Sequence, residues 1–295
     1  MAFEGRWPHL ATGEPMVYEN FATLRVSLDK GVAFVTIDHG ELNLMDLAML
    51  TDLDRAGREL EADAAVKVVV LQSANQEFFI AHADINAIAQ LPETPPARDE
   101  RLGWVHAVLD RFRTMPKATI AKIQGRCRGG GSELALACDM RFAEIGRGVL
   151  CQPEVGVGII PGAGGSVRLP RLVGRGRALE IILGCGDFPA EVAERYGYVN
   201  RALPPGEIDF FVNYLAFRIA GFPAETVAMA KRAASMGEAG LEDELAREET
   251  IFLKSAHTAS AKRRMATAMA IGMQTPTIER CCFNHVWGPL AEQQS

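Results

Sequence analysis

No uncharged run in this chain is long enough to cross a bilayer. The longest, Met265 to Ile278, falls short of the roughly 20 apolar residues a spanning helix needs. The opening stretch, MAFEGRWPHLATGEPMVYEN, lacks an apolar signal core, and its three glutamates do not suit a transit peptide. Cysteine is sparse. Cys127, Cys138, Cys151, Cys185, Cys281 and Cys282 are too scattered for a disulfide framework, and no CxxC pair or Cys/His spacing suits zinc. Cations are outnumbered as well, 31 Lys and Arg against 37 Asp and Glu, for a net charge of -6. A general nucleic-acid binder needs clustered cations to displace the counterions on phosphate, so this class is disfavoured. These absences lead us to expect a cytoplasmic protein with buried or incidental thiols, no membrane segment and no metal.

What is present is an ordinary globular mixture, 48% hydrophobic and 23% charged over 295 residues. At about 150 residues per domain, that length suggests two domains, or one with an appendage. Thr23 to Ser27 and Val32 to Ile37 flank Asp29-Lys30-Gly31 and read as a hairpin. Leu50, Leu53 and Leu60 recur at helical spacing, giving an amphipathic helix over about 46–62. Val66 to Leu71 reads as a buried strand, Leu91 to Ala97 as a Pro-rich loop, and Arg98 to Arg113 as a helix. Ala118 to Gln124 is another strand, followed by a Gly-rich turn and an apolar helix from Gly131 to Cys138. A second Gly-dense stretch, Val155 to Gly165, leads into a helix near Ser166. Beyond about Gly206, strand signals vanish and helical periodicity takes over. The expected organisation is an N-terminal extension (1–19), an α/β core (20–205) and a helical C-terminal segment (206–295).

The densest chemical feature is the run Arg126-Cys127-Arg128-Gly129-Gly130-Gly131-Ser132-Glu133, where a strand passes through three glycines into a helix. Glycines let backbone approach a ligand, and a helix start presents unpaired N–H groups of partial positive charge. Such a turn can hold a phosphate or a developing oxyanion, though the glycines alone fit a plain tight turn equally well. A Walker site is disfavoured because no Lys-Ser/Thr pair follows, and the spacing does not suit a dinucleotide fingerprint. Glu133 sits in the first turn of an otherwise apolar helix, and Glu154 lies in a second apolar, Gly-rich run. Singly, each reads as a helix-dipole partner or a loop residue. Together, beside an oxyanion-type turn, they suit proton transfer next to a carbonyl.

The ordered motifs Pro116 to Ala121, Gly129-Gly130-Gly131-Ser132-Glu133-Leu134-Ala135, Cys138-Asp139, Gln152-Pro153-Glu154, Ile160-Pro161-Gly162-Ala163-Gly164-Gly165 and Arg168-Leu169 resemble the enoyl-CoA hydratase/isomerase (crotonase) family. Upstream, Ala81-His82-Ala83-Asp84-Ile85 resembles that family's A-G-A-D-[IL] segment, and Val32 to Asn43 its opening hairpin. The resemblance covers roughly residues 20–205. It implies a crotonase-like spiral of ββα units, with the helical tail mediating a homotrimer or a dimer of trimers. It implies backbone donors at Ala83 and Gly130 for an acyl thioester oxygen. Glu133 matches the glutamate that activates water, and Glu154 the one that exchanges the α-carbon proton. Ala81, His82, Asp84, Ile85 and Gly129 match coenzyme A and substrate contacts. Coenzyme A would arrive as part of the substrate, with no separate cofactor.

Keeping both glutamates ranks hydration of a trans-2-enoyl-CoA first, ahead of enoyl-CoA isomerisation or acyl-CoA hydrolysis and well ahead of a non-catalytic binding role. Three departures stand out. His82 replaces a usual glycine and is read either as restricting the oxyanion segment or as facing the nucleotide pocket, with a tolerated surface residue as the bland reading. Arg128 replaces an apolar or aromatic residue and is read as a ligand contact or, ahead of that, as a trimer-contact ion pair. Cys281 to Trp287 is an unfamiliar addition, in which Phe283 and Trp287 are expected to pack.

Overall fold

A computed structural model describes residues 18–97, 101–238 and 240–286. The chain starts with strands β1 (Leu24–Asp29) and β2 (Val32–Ile37), paired antiparallel in register from Leu24↔Ile37 to Asp29↔Val32. A two-residue turn joins them, with Lys30 and Gly31 both at positive φ (46° and 83°). This is the twist-matched geometry that hairpins favour. Asp46 caps helix α1 (Leu47–Ala62), its Oδ1 accepting the Met49 N–H at 2.9 Å.

From there the chain winds as a spiral of repeated strand–strand–helix units. β3 (Val68–Ser73) and β4 (Phe78–Ile80) lead into α2 (Ile85–Ile88) and α3 (Trp104–Thr114). β5 (Ala118–Ile123) and β6 (Arg126–Arg128) lead into α4 (Gly130–Ala137). β7 (Met140–Glu144) and β8 (Val149–Cys151) lead through a 3-10 turn (Glu154–Val157) into α5 (Gly165–Val173) and α6 (Arg175–Gly184). After β9 (Phe188–Pro189), α7 (Ala190–Tyr196) and β10 (Arg201–Leu203), the remainder is helical: α8 (Glu207–Ala220), α9 (Ala224–Ala234), α10 (Leu241–Ala256) and α11 (Ala259–Ala270).

Each turn of the spiral contributes one strand to each of two sheets. One sheet has the order β1-β2-β3-β5-β7-β10, parallel except at β1–β2; the other has the order β4-β6-β8-β9, parallel except at β8–β9. Val68 to Leu71 are fully buried because both faces of β3 are covered. Val69 and Leu71 face the main core, while Val68 and Val70 pack under Ile208, Val212 and Ala216 of α8. Burying each such side chain contributes about 1.5–3 kcal/mol. The two helices that matter for the site are α10 and α11. Ala261 and Met265 of α11 join Val157 and Ile159 in a separate apolar cluster, which seats the tail against the turn carrying Glu154.

Element types follow the sequence patterns, with shifts at their ends. The strand expected from Val66 begins at Val68. The helix expected from Arg98 begins at Trp104, because Gly103 is extended (ψ 155°) and its carbonyl accepts the Ala107 N–H as the first helical bond. Residues 98–100, most of the N-terminal extension and Trp287 lie outside the described residues. Among the described residues, no helix is long and apolar enough to cross a membrane. All six cysteines are free, and Cys127, Cys138, Cys151 and Cys185 are buried.

Candidate active site

Two chain segments meet at a cavity of about 340 Å³. The first follows β4. Met45 forms a parallel bridge with Ala83, its N–H donating to His82 O at 2.9 Å and its carbonyl accepting the Asp84 N–H at 3.0 Å. That alternation turns the Ala83 N–H the other way, and it makes no hydrogen bond among the described residues. The second segment follows β6, where Gly129 and Gly130 open α4. A helix leaves its first N–H groups without internal partners, and the Gly130 N–H is one of these.

Both segments line the cavity, and a Cβ built on Gly130 would stand 3.5 Å from that of Ala83 and 2.9 Å from Met45 Sδ. Gly129 has φ +49°, and a Cβ there would come within 2.9 Å of Glu154 Oε1. Side chains are thus excluded from the turn by backbone conformation and by the carboxylate beside it.

Glu133 and Glu154 line the same cavity. Glu133, buried in the first turn of α4, accepts the Ala163 and Gly165 N–H groups on Oε1, at 2.7 and 2.8 Å. The second Gly-rich loop therefore grips the carboxylate that the first one presents. Burial pushes the Glu133 carboxyl up to about 7, helped by the charge of Glu248 and opposed by the two N–H bonds and His106. Glu154 is held well above the ordinary carboxylate range, first by burial and then by the negative charge of Glu133. Gln152 sits beside it. With its amide nitrogen toward Glu154, it donates to both carboxylate oxygens at 3.2 and 3.1 Å while its oxygen accepts from Ser132 Oγ at 3.2 Å. Ser132 in turn is hydrogen-bonded to the buried Tyr198 hydroxyl. Two interacting acids in an apolar cleft share their protons as a pair, so one can give while the other receives.

The remaining wall is mostly apolar: Leu47 and Leu50 of α1, Ile88 of α2, Trp104 of α3, and Phe252 and Leu253 of α10. Asp46, Asp84, His106 and Glu249 interrupt it. His106 of α3 faces Glu248 of α10 at 3.1 Å, and both are about 2% exposed at the side chain. Glu248 Oε1 has no partner among the described residues. Sequence reading missed this pair. A signal was available for Glu248, which interrupts the apolar stripe Leu241, Leu245, Phe252, Ala256 on the inner face of α10.

The other residues singled out by sequence are divided by the fold. Asp84 lines the cavity, caps α2 by accepting the Asn86 N–H at 2.9 Å, and accepts Gln274 Nε2 at 3.0 Å. Ala81 is buried with Leu42 and Phe78, and Ile85 is buried with Val157 and Met265. His82 and Arg128 do not line the cavity. Both ring nitrogens of His82 face acceptors, Ala83 O at 2.8 Å and Glu279 Oε1 at 3.0 Å. Arg128, expected at a ligand or a subunit contact, is engaged within the chain by Asp187 and Glu279. A guanidinium that is 1% exposed needs its partners close at hand, and the fold supplies them.

The arrangement can hold a carbonyl oxygen between two free N–H groups and move protons at the adjoining carbons with two carboxyls. A profile of the enoyl-CoA hydratase/isomerase family matches residues 27–272. The short-chain-enoyl-CoA hydratase of Clostridium acetobutylicum is 34% identical over 236 residues, covering 79% of this chain and 89% of that protein. The crotonyl-CoA hydratase of Syntrophomonas wolfei is 33% identical over 223 residues, covering 75% and 84%. A crystal structure of a protein from Streptomyces avermitilis matches with a TM-score of 0.84 at 35% identity, covering 92% of this chain and all of that one. By its ordered motifs, its two-sheet spiral and these matches, the chain belongs to the enoyl-CoA hydratase/isomerase family.

Proposed function

We propose that the protein is a 2-enoyl-CoA hydratase, adding water across the double bond of a trans-2-enoyl thioester. The observation that carries this reading is the convergence of two unengaged N–H groups, Ala83 and Gly130, with two buried carboxyls, Glu133 and Glu154, on one apolar cavity. The thioester oxygen accepts both N–H groups. As water attacks the β-carbon, negative charge builds on that oxygen, and fixed dipoles stabilise it without reorganising.

The different settings of the two acids suit different roles. Glu133, whose charged form the Ala163 and Gly165 N–H groups favour, takes the proton from water. Glu154, held above the ordinary carboxylate range by burial and by the charge of Glu133, delivers a proton to the α-carbon. Hydroxyl goes to one carbon and hydrogen to the next from the same side, a syn addition. The pair then returns to its starting protonation by moving the proton gained at Glu133 to Glu154.

Apolar walls from α1, α2, α3 and α10 suit the acyl chain. With a net charge of -6, the coenzyme A moiety is held by backbone dipoles and a few placed cations, with no bulk positive field. A trimer belongs to the same reading, supported by exposed apolar side chains such as Leu183, Phe210, Tyr214 and Met229. Light scattering on the purified protein tests it.

The activity test is loss of the conjugated thioester absorbance of crotonyl-CoA, with chromatographic identification of the 3-hydroxyacyl product. A 2-enoyl product from 3-enoyl-CoA, or free coenzyme A, with no hydration, would replace this reading by isomerase or hydrolase.

A further inference from the structure

His82 and Arg128, two separate oddities in the sequence, meet the segment after Thr277 in one buried cluster. The Glu279 side chain, in the helical turn Ile278–Cys282, is fully buried and uses both carboxylate oxygens. Oε1 lies 3.0 Å from His82 Nε2 and accepts the Gln274 N–H at 3.1 Å. Oε2 accepts Arg128 Nη1 at 3.2 Å, and the Glu279 carbonyl takes a second bond from the same nitrogen at 3.0 Å. The rest of the Arg128 fork is bidentate on Asp187 at 2.8 and 2.7 Å, and its Cζ lies 3.7 Å from the Phe283 ring centroid. Both His82 ring nitrogens face oxygen acceptors, and the Glu279 carboxylate beside them favours the doubly protonated ring. His82 and Arg128 thus face Glu279 and Asp187 in the cluster.

Its location gives it a consequence. His82 immediately precedes Ala83, and its ring bonds the Ala83 carbonyl. Arg128 lies two residues before Gly130, and a Cβ on Gly129 would stand 3.3 Å from that of His82. The tail segment also bonds Asp84, through Gln274. One carboxylate therefore bridges the two backbone segments that carry the N–H donors.

We propose that Glu279 is a positioning residue, a clamp from the C-terminal segment that sets the spacing of the Ala83 and Gly130 N–H groups. This rests on the reading of those two groups as the donors to the thioester oxygen. A donor pair works only if both point at the position the charged oxygen will occupy, and misplacement on the order of 1 Å can cost about 100-fold in rate. Arg128 and His82 are tethers, and Glu279 is the pin that joins them. The predicted loss falls on kcat, because the charged oxygen gains more from the donors than the ground-state carbonyl does.

The test reads the donors directly. The infrared band of a ¹³C-labelled thioester carbonyl is recorded for butyryl-CoA, a saturated and unreactive thioester, free and bound to the full-length protein. In parallel, kcat and KM are measured with crotonyl-CoA, and melting curves establish that each variant is folded. Wild type is expected to shift the band to lower frequency. Glu279→Gln is expected to lose most of that shift and to lower kcat by about 10- to 100-fold with little change in KM. His82→Phe keeps a ring beside Phe283 but cuts one tether, giving a smaller loss of both, and it serves as the readout if Glu279→Gln does not fold. A wild-type shift retained in full by the folded variants, with kcat unchanged, overturns the clamp and leaves the donors standing. Absence of any shift in wild type overturns the donor reading itself, and the clamp with it.

Discussion

Glu248 on α10 raises the carboxyl of Glu133 on α4 above the value that burial and its hydrogen bonds would give. The negative charge of Glu248 is second only to burial among the causes. Replacing it with Gln removes a like charge, so the Glu133 carboxylate becomes easier to form and its titration moves to lower pH. In a pH profile of kcat/KM, the acid limb of Glu248→Gln should therefore lie below that of wild type. A limb that stays put or moves up would separate Glu248 from the chemistry.

Substituting the two site carboxyls should cost activity while relieving the fold. Glu133→Gln and Glu154→Gln should each lower crotonyl-CoA hydration by about 10²–10⁴-fold. Activity unaffected by both would sink the hydratase assignment.

The same two substitutions carry a stability consequence with a definite sign. A carboxyl whose folded pKa is raised binds its proton more tightly in the native state than in the unfolded one. Wild-type stability therefore falls as pH rises from the unfolded carboxylate value through the folded one, which for Glu133 is a window from about 4.5 to about 7. The Gln variants lack this loss. Their melting midpoints should exceed wild type at pH 8 by about 2–4 °C per kcal/mol of relieved charge burial, and the gap should close below the unfolded value of about 4.5. Calorimetry on either side of the window checks it.

Gly129→Ala combines two penalties, a side chain at φ +49° and a Cβ about to meet Glu154. The strained backbone alone costs about 1–3 kcal/mol. Denaturant melts should show that loss, and turnover should fall with it because Glu154 must move. A variant of wild-type stability and rate would show that the turn relaxes freely.

Asp52 offers a control away from the chemistry. Its Oδ2 accepts the Ala22 N–H, the Thr23 N–H and the Thr23 hydroxyl at 2.7, 2.8 and 2.9 Å, pinning the entry to β1 onto α1. Asp52→Ala leaves those donors without their acceptor, at about 1–3 kcal/mol for each one that stays dry. Urea unfolding should show the loss, with kcat at 25 °C unchanged. A silent substitution would mean that water replaces the carboxylate.

Much of the site is legible along the chain because its requirements are local. The turn at Gly129 needs a positive φ and space beside a carboxylate, and the helix start at Gly130 leaves an N–H without a partner whatever the rest of the fold does. Both demands write themselves into consecutive residues, as does the hairpin turn at Lys30-Gly31. Element ends were less legible. At the start of α3, Gly103 lies close against the Glu249 carboxylate of α10, where a Cβ would meet it. Composition cannot express such a contact.

The sequence by itself determined the alternation of strands and helices, the two Gly-rich turns and the placing of the carboxyls Glu133 and Glu154 in apolar surroundings beside them, because propensity, periodicity and backbone freedom act over a few residues at a time. Only the tertiary structure decided what those groups feel. His106 meets Glu248 across 142 positions of chain, and His82 meets Glu279 across 197. Burial and charge depend on distance in space, so the carboxyl value of Glu133 and the engagement of Arg128 exist only once the helical tail has folded back onto the spiral.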